Sequence, residues 1–181
     1  MDKTKFRSML QGVLVLAAIA LCSGLLLGFF NIITYVDPLQ SAYDRFSEDT
    51  GATFSKMTDA EGQTIGDGKV VYYAVSDDGQ VHAFLAEGKG FQGGTVQVYL
   101  YVQDGVISKA GYGEVDTSQT YIDRVKDAKL LESFVGSEVS SLNALSADTV
   151  SGATGSSKGV LNAVNAAVEY YKEHVGGENN G

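Results

Sequence analysis

Along the chain the spacing of apolar residues changes three times, and each change predicts a different kind of element. From Ser8 to Val36 there is no charged residue, and Gly12 to Phe30 consists of Val, Leu, Ala, Ile, Phe and Gly with one Cys and one Ser. A run of that length can cross the hydrocarbon core of a bilayer as a helix. A cleaved secretory signal is the competing reading, with Lys3, Lys5 and Arg7 as its basic start and small residues around Cys22. The apolar core of such a signal spans roughly 7 to 15 residues, whereas this run continues through Leu25, Leu26, Leu27, Phe29 and Phe30. A retained transmembrane helix is therefore expected within residues 1–36. Cys22 reads as an apolar thiol, since Leu21 stands where a lipidation site wants a small residue.

Residues 37–68 predict a stalk and a connection. Asp37 can cap a helix with Pro38 at its first position, reaching about Phe46. Glu48 to Gly68 lacks a clear period, leaving room for one short element. Beyond it the period becomes two. Lys69–Val75, Val81–Glu87 and Thr95–Gln103 alternate as strands, and Asp104-Gly105 is a strong hairpin signal that returns the chain into Val106–Ala110. Four strands in meander order predict an antiparallel sheet.

The period then becomes helical. Thr117 or Ser118 can cap a helix to about Phe134, with Ile122, Val125, Leu131 and Phe134 on one face. A second helix is expected to start near Ser156 or Ser157, to bury Val160, Leu161, Val164, Val168 and Tyr171, and to stop at Gly176-Gly177. The fold class is α+β: one N-terminal transmembrane helix, then an antiparallel-sheet domain with segregated helices over residues 69–176. Residues 177–181 read as a disordered tail.

Charge narrows the possibilities. Thirteen Lys and Arg stand against 22 Asp and Glu, a formal net charge of -9, which leaves no basic surface for nucleic acid. One Cys and two His exclude a structural zinc site and an internal disulfide. Residues 1–36 hold one acid and three bases, so residues 37–181 carry a net -11. Basic residues before the span and acidic ones after it place the N-terminus in the cytoplasm and the domain on the extracytoplasmic side of the cell membrane. His82 and His174 stand alone and are assigned structural roles.

Between the two helices lies Asp148-Thr-Val-Ser-Gly-Ala-Thr154, followed by Gly155-Ser-Ser-Lys-Gly. Small residues allow a ligand close to the backbone, and a helix start beyond them offers free N–H groups to an anion. The alternative from composition is a loop whose Ser and Thr merely cap the helix. Spacing for a Walker-type phosphate loop is absent.

The run Asp148–Thr154, with Ser156-Ser157 and the helix GVLNAVNAAVEYY, resembles the FMN-binding domain shared by the G subunit of the Rnf electron transport complex and the C subunit of the sodium-translocating NADH:quinone reductase. The resemblance implies FMN joined through a phosphoester to Thr154 by a separate flavin transferase, with Ser151, Gly152 and Ala153 around it. It also implies an electron-transfer subunit without catalytic side chains of its own or metal ligands. Its partners would be the other membrane subunits of an Rnf-type, ion-translocating ferredoxin:NAD oxidoreductase. A Glu-Thr-Pro-Gly segment of that family has its best match in Asp116-Thr117-Ser118-Gln119, without the Pro and Gly, so Thr117 is carried over as a cofactor neighbour. Gly88–Gly94 resembles the family's loop into the central strand, and reads equally as a flexible entry to Val96. Two other functions stay open: a stand-alone extracytoplasmic flavin carrier, and a membrane-anchored module binding a non-redox ligand.

Overall fold

The computed structural model describes residues 3–35, 37–56 and 62–176; the tail expected at 177–181 lies outside them. The chain divides into two compact units, residues 1–40 and 41–181.

The first unit is dominated by helix α1, Lys3–Thr34, whose 32 residues span about 48 Å at ~1.5 Å per residue. Among the described residues it is the one helix long and apolar enough to cross a membrane. Leu21, Leu25 and Ile32 lie exposed on its surface. Helix α2, Pro38–Thr50, begins as expected: the Leu39 amide donates to Asp37 Oδ1 at 2.9 Å. It runs one turn past the expected end at Phe46.

The second unit is built on a five-stranded antiparallel meander, β1 Gln63–Ile65, β2 Gly68–Val75, β3 Val81–Lys89, β4 Thr95–Gln103 and β5 Val106–Asp116, paired in chain order. Four strands were expected; β1 is the fifth. Its three residues are too few to show a period, and pairing Gln63 with Val70 across a tight turn is what makes it a strand. Asp104 (φ 51°) and Gly105 (φ 75°) both adopt left-handed backbone between the paired Gln103 and Val106, the two-residue turn that matches strand twist.

Alternation sends side chains to two cores. On one face Val70, Phe84, Val96, Val98 and Leu100 pack beneath helix α3 (Gln119–Asp127, through Ile122 and Val125) and helix α4 (Thr154–His174, through Val160, Val164 and Val168). On the other, Ala83, Leu85 and Tyr101 are covered by Ala42 and Phe46 of α2 and by Phe54. Each fully buried Phe or Leu contributes about 1.5 to 3 kcal/mol.

Two helix expectations are corrected. The single helix expected to about Phe134 ends at Asp127, because Lys129 takes a left-handed conformation (φ 54°) and the chain resumes as a 3-10 turn, Glu132–Phe134. Leu131 and Phe134 still reach the core. The last helix starts at Thr154, before Ser156, and its more deeply buried aromatic residue is Tyr170 rather than Tyr171.

Helix α4 touches sheet backbone directly. A Cβ on Gly88 would collide with the Gly159 carbonyl and the Ala163 amide, and one on Gly68 with the Asn162 carbonyl. Asn162 Nδ2 fastens this seam by donating to the Lys89 carbonyl at 2.8 Å.

Candidate functional site

Ser and Thr at a helix start normally cap it, and in α4 they do not. The N-cap position is Ala153, with no side-chain cap. Ser157 turns back along the helix, its hydroxyl donating to the Ala153 carbonyl (3.0 Å) and accepting from the Val150 amide (3.0 Å), and it is fully buried. The expectation that Ser156 and Ser157 cap the helix is thus corrected. Both sit inside the first turn, where Ser157 is consumed in bonding to the preceding carbonyl. The first N–H groups of α4 have no intrahelical acceptor and receive no side-chain cap.

Helix α3 repeats the pattern. Ser118 stands at its N-cap position without a side-chain bond, so neither Thr117 nor Ser118 serves as the side-chain cap expected. The two uncapped starts meet at one pocket of about 670 Å³, whose walls include Thr117, Ser118 and Tyr121 from one side and Gly152–Ser156 from the other. The positive ends of two helix dipoles therefore face one cavity. Asp116 is the acid in its wall.

The third wall is the turn Phe91–Gly94. Phe91 Cβ lies where a Cβ on Gly155 would have to go, so the absence of a side chain at Gly155 lets this turn close on α4. Gln92 is held in left-handed backbone (φ 54°), a conformation that costs a non-glycine residue about 1 kcal/mol or more. Phe91 (64% exposed) and Tyr121 (46% exposed) present large apolar surfaces at the pocket.

Of the residues singled out from sequence, Thr154, Gly152, Ala153 and Thr117 line this pocket, with Thr154 exposed at the first position of α4. Ser151 is exposed on the turn before it and is not part of the lining. Asp116 lies in the wall as the first residue of the Asp116–Gln119 segment matched by resemblance, whereas Tyr121, an aromatic residue on a polar helix face, was left out. Sequence reasoning assigned no role to Arg124, which it met only within the family-like stretch Asp123-Arg124-Val125. The Arg124 Nη1 lies 2.9 Å from where a Cβ on Gly152 would be, and Gly152 holds left-handed backbone (φ 75°).

His82 lies elsewhere, at the far end of α4. Its Nδ1 pairs with the Tyr73 hydroxyl at 2.7 Å, its ring packs edge-on to Tyr171, and burial lowers its pKa. His174 stacks on Tyr170. Among the described residues no cluster of His, Cys, Asp or Glu could hold a metal ion.

No curated protein and no solved structure matches the chain. A family model does: residues 90–169 match the FMN-binding domain. Every residue lining the pocket falls inside that stretch.

Proposed function

We propose that the protein is a membrane-anchored electron-transfer subunit carrying FMN covalently on Thr154. The observation that supports this best is the exposed Thr154 hydroxyl on a helix start left uncapped by its own Ser and Thr, inside the matched domain. A capping loop would have used those hydroxyls; here the free N–H groups suit a phosphate. The pocket volume is in the range of cofactor sites, roughly 300 to 1,000 Å³.

The residues fit the group. Thr154 would hold it by a phosphoester, the α4 amides would face its phosphate, Phe91 and Tyr121 would offer apolar surface, and Thr117 a hydroxyl. When bound, the flavin supplies the redox chemistry, and the protein's share is tethering and setting the potential through neighbouring dipoles and charges. A covalent tether would prevent loss of the cofactor from an extracytoplasmic domain, the side that the basic N-terminus and acidic domain favour. Membership of an Rnf-type, ion-translocating ferredoxin:NAD oxidoreductase completes the reading, and adjacent genes for its other membrane subunits are the observation that separates it from a stand-alone carrier.

Coexpressed with a flavin transferase, the full chain is expected to remain fluorescent after denaturing electrophoresis, with the Thr154 peptide heavier by one FMN less one water. Thr154→Ala abolishes both signals and Ser156→Ala retains them. Flavin on the Thr154 variant would move the attachment site, and none on the wild type would favour a non-redox binding module. Protease added outside intact cells lacking an outer barrier should remove the domain; its survival there, with cleavage in inside-out vesicles, would reverse the orientation.

A further inference from the structure

We infer that Arg124 is the charged contact for the phosphate at this site, holding it against the first turn of α4; the inference rests on the FMN reading above. The chain after the span has two arginines, and they are used differently. Arg45 is committed to Asp49, with Nε to Oδ2 at 2.8 Å. Arg124 makes no ion pair with any described residue, although Asp123 is its neighbour in sequence and Asp127 follows one turn later. Its guanidinium carbon lies 6.0 Å from the centre of the Tyr121 ring, and Nη1 rests on Gly152. Tyr121 and Gly152 both line the pocket, so the cation is stationed between the pocket's aromatic wall and the glycine two residues before Thr154.

A second group points the same way. Ser156 lines the pocket within the first turn of α4 and is 3% exposed. A phosphodiester on Thr154 has two non-bridging oxygens carrying one negative charge. The guanidinium supplies planar paired donors, and Ser156 supplies a third donor next to the free amides. Residues 37–181 carry a net -11, so an anion here needs a local cation, and Arg124 is the one that the fold lays on the motif.

The test uses the full chain in detergent, coexpressed with flavin transferase, with loading followed by mass and the phosphate by ³¹P NMR. Arg124→Gln should load roughly tenfold more slowly, the factor of a charge-assisted hydrogen bond, and the phosphodiester resonance of the loaded fraction should move. Arg124→Lys should restore most of the loading, and Lys126→Gln, on the same helix, should leave rate and resonance unchanged. Normal loading of Arg124→Gln with an unmoved resonance overturns the inference and leaves the FMN reading intact. Failure of both Arg124 variants to load also overturns it, because the requirement would then be for packing rather than charge. A wild-type chain that never loads counts against the FMN reading itself.

Discussion

The two faces of the sheet treat their polar groups in opposite ways. Under α2, Asp49 accepts from Arg45 Nε, Tyr101 Oη and Lys109 Nζ, each at 2.8 Å, and its side chain is only 12% exposed. Donors and acceptors there are used up. On the face that carries α3 and α4, two helix starts lack side-chain caps, and Arg124 makes no ion pair with any described residue. A polar group that folding alone must keep is satisfied within the protein. Groups left over in and beside one pocket, with a strained Gln92 in its wall, are what the proposed cofactor site would use.

The sharpest way to break that comparison is a pair of substitutions. Thr154→Ala should remove all covalent flavin yet change stability by no more than about 0.5 kcal/mol, because the side chain is exposed. Asp49→Ala should do the reverse. It leaves the buried Tyr101 hydroxyl without its carboxylate acceptor, while the half-exposed Arg45 and Lys109 turn to water. The change should cost about 2 kcal/mol, lowering Tm by roughly 4 to 8 °C in thermal unfolding while the folded fraction loads normally. Equal effects of the two on either readout would erase the distinction between the faces.

Next in size is the acid limb of stability. Burial pushes the Asp49 carboxyl upward, but donors from Lys109, Tyr101 and Arg45 outweigh it and leave the pKa below the usual carboxylate range. A depressed folded value means that the contribution is complete above the unfolded carboxylate value of about 3.9 and fades as pH falls through the folded one. Asp49→Asn should therefore lose stability at neutral pH and show a shallower decline below about pH 4 than the wild type, measured by denaturant melts across pH. A parallel decline would remove Asp49 from the account.

The smallest effect is expected from Thr117→Ala. One neutral hydrogen bond near the ring is worth roughly 0.5 to 1.5 kcal/mol, so the flavin potential or absorption should shift slightly with attachment unchanged. Identical spectra and potential would confine Thr117 to shaping the wall.

How much of this was legible depends on how local the signal is. The β2–β4 alternation and the Asp104-Gly105 turn are written in consecutive residues, and both were readable. The uncapped start of α4 was not, because Ser157 can cap forward or bond backward, and the choice is made by the Val150 amide arriving from the preceding loop. The covering of the second sheet face by Ala42 and Phe46 was likewise hidden: amphipathic spacing shows that a stalk helix has an apolar side, not what it rests on. Thr154 and Thr117 were singled out by resemblance, and their meeting in one pocket depends on β5 continuing six residues past Ala110 to Asp116. Arg124 resembles the family's sequence only as part of Asp123-Arg124-Val125, which assigns it no role, since an arginine on the polar face of a short helix is ordinary.

The glycine seam under α4 has a mechanical consequence. With Gly88 and Gly68 against its backbone and Val96 against Gly159, the helix lies on the strands along this seam at a distance too short for side chains at the three glycines, which resists rolling or sliding. Close-packed interiors transmit displacement rather than absorb it. A group tied to the first residue of such a helix inherits the stiffness of the sheet, so its anchor point is reproducible from one molecule to the next. Under the proposed function, a flavin carried on Thr154 would start each electron transfer from a fixed anchor point, leaving the variation in distance to the tether.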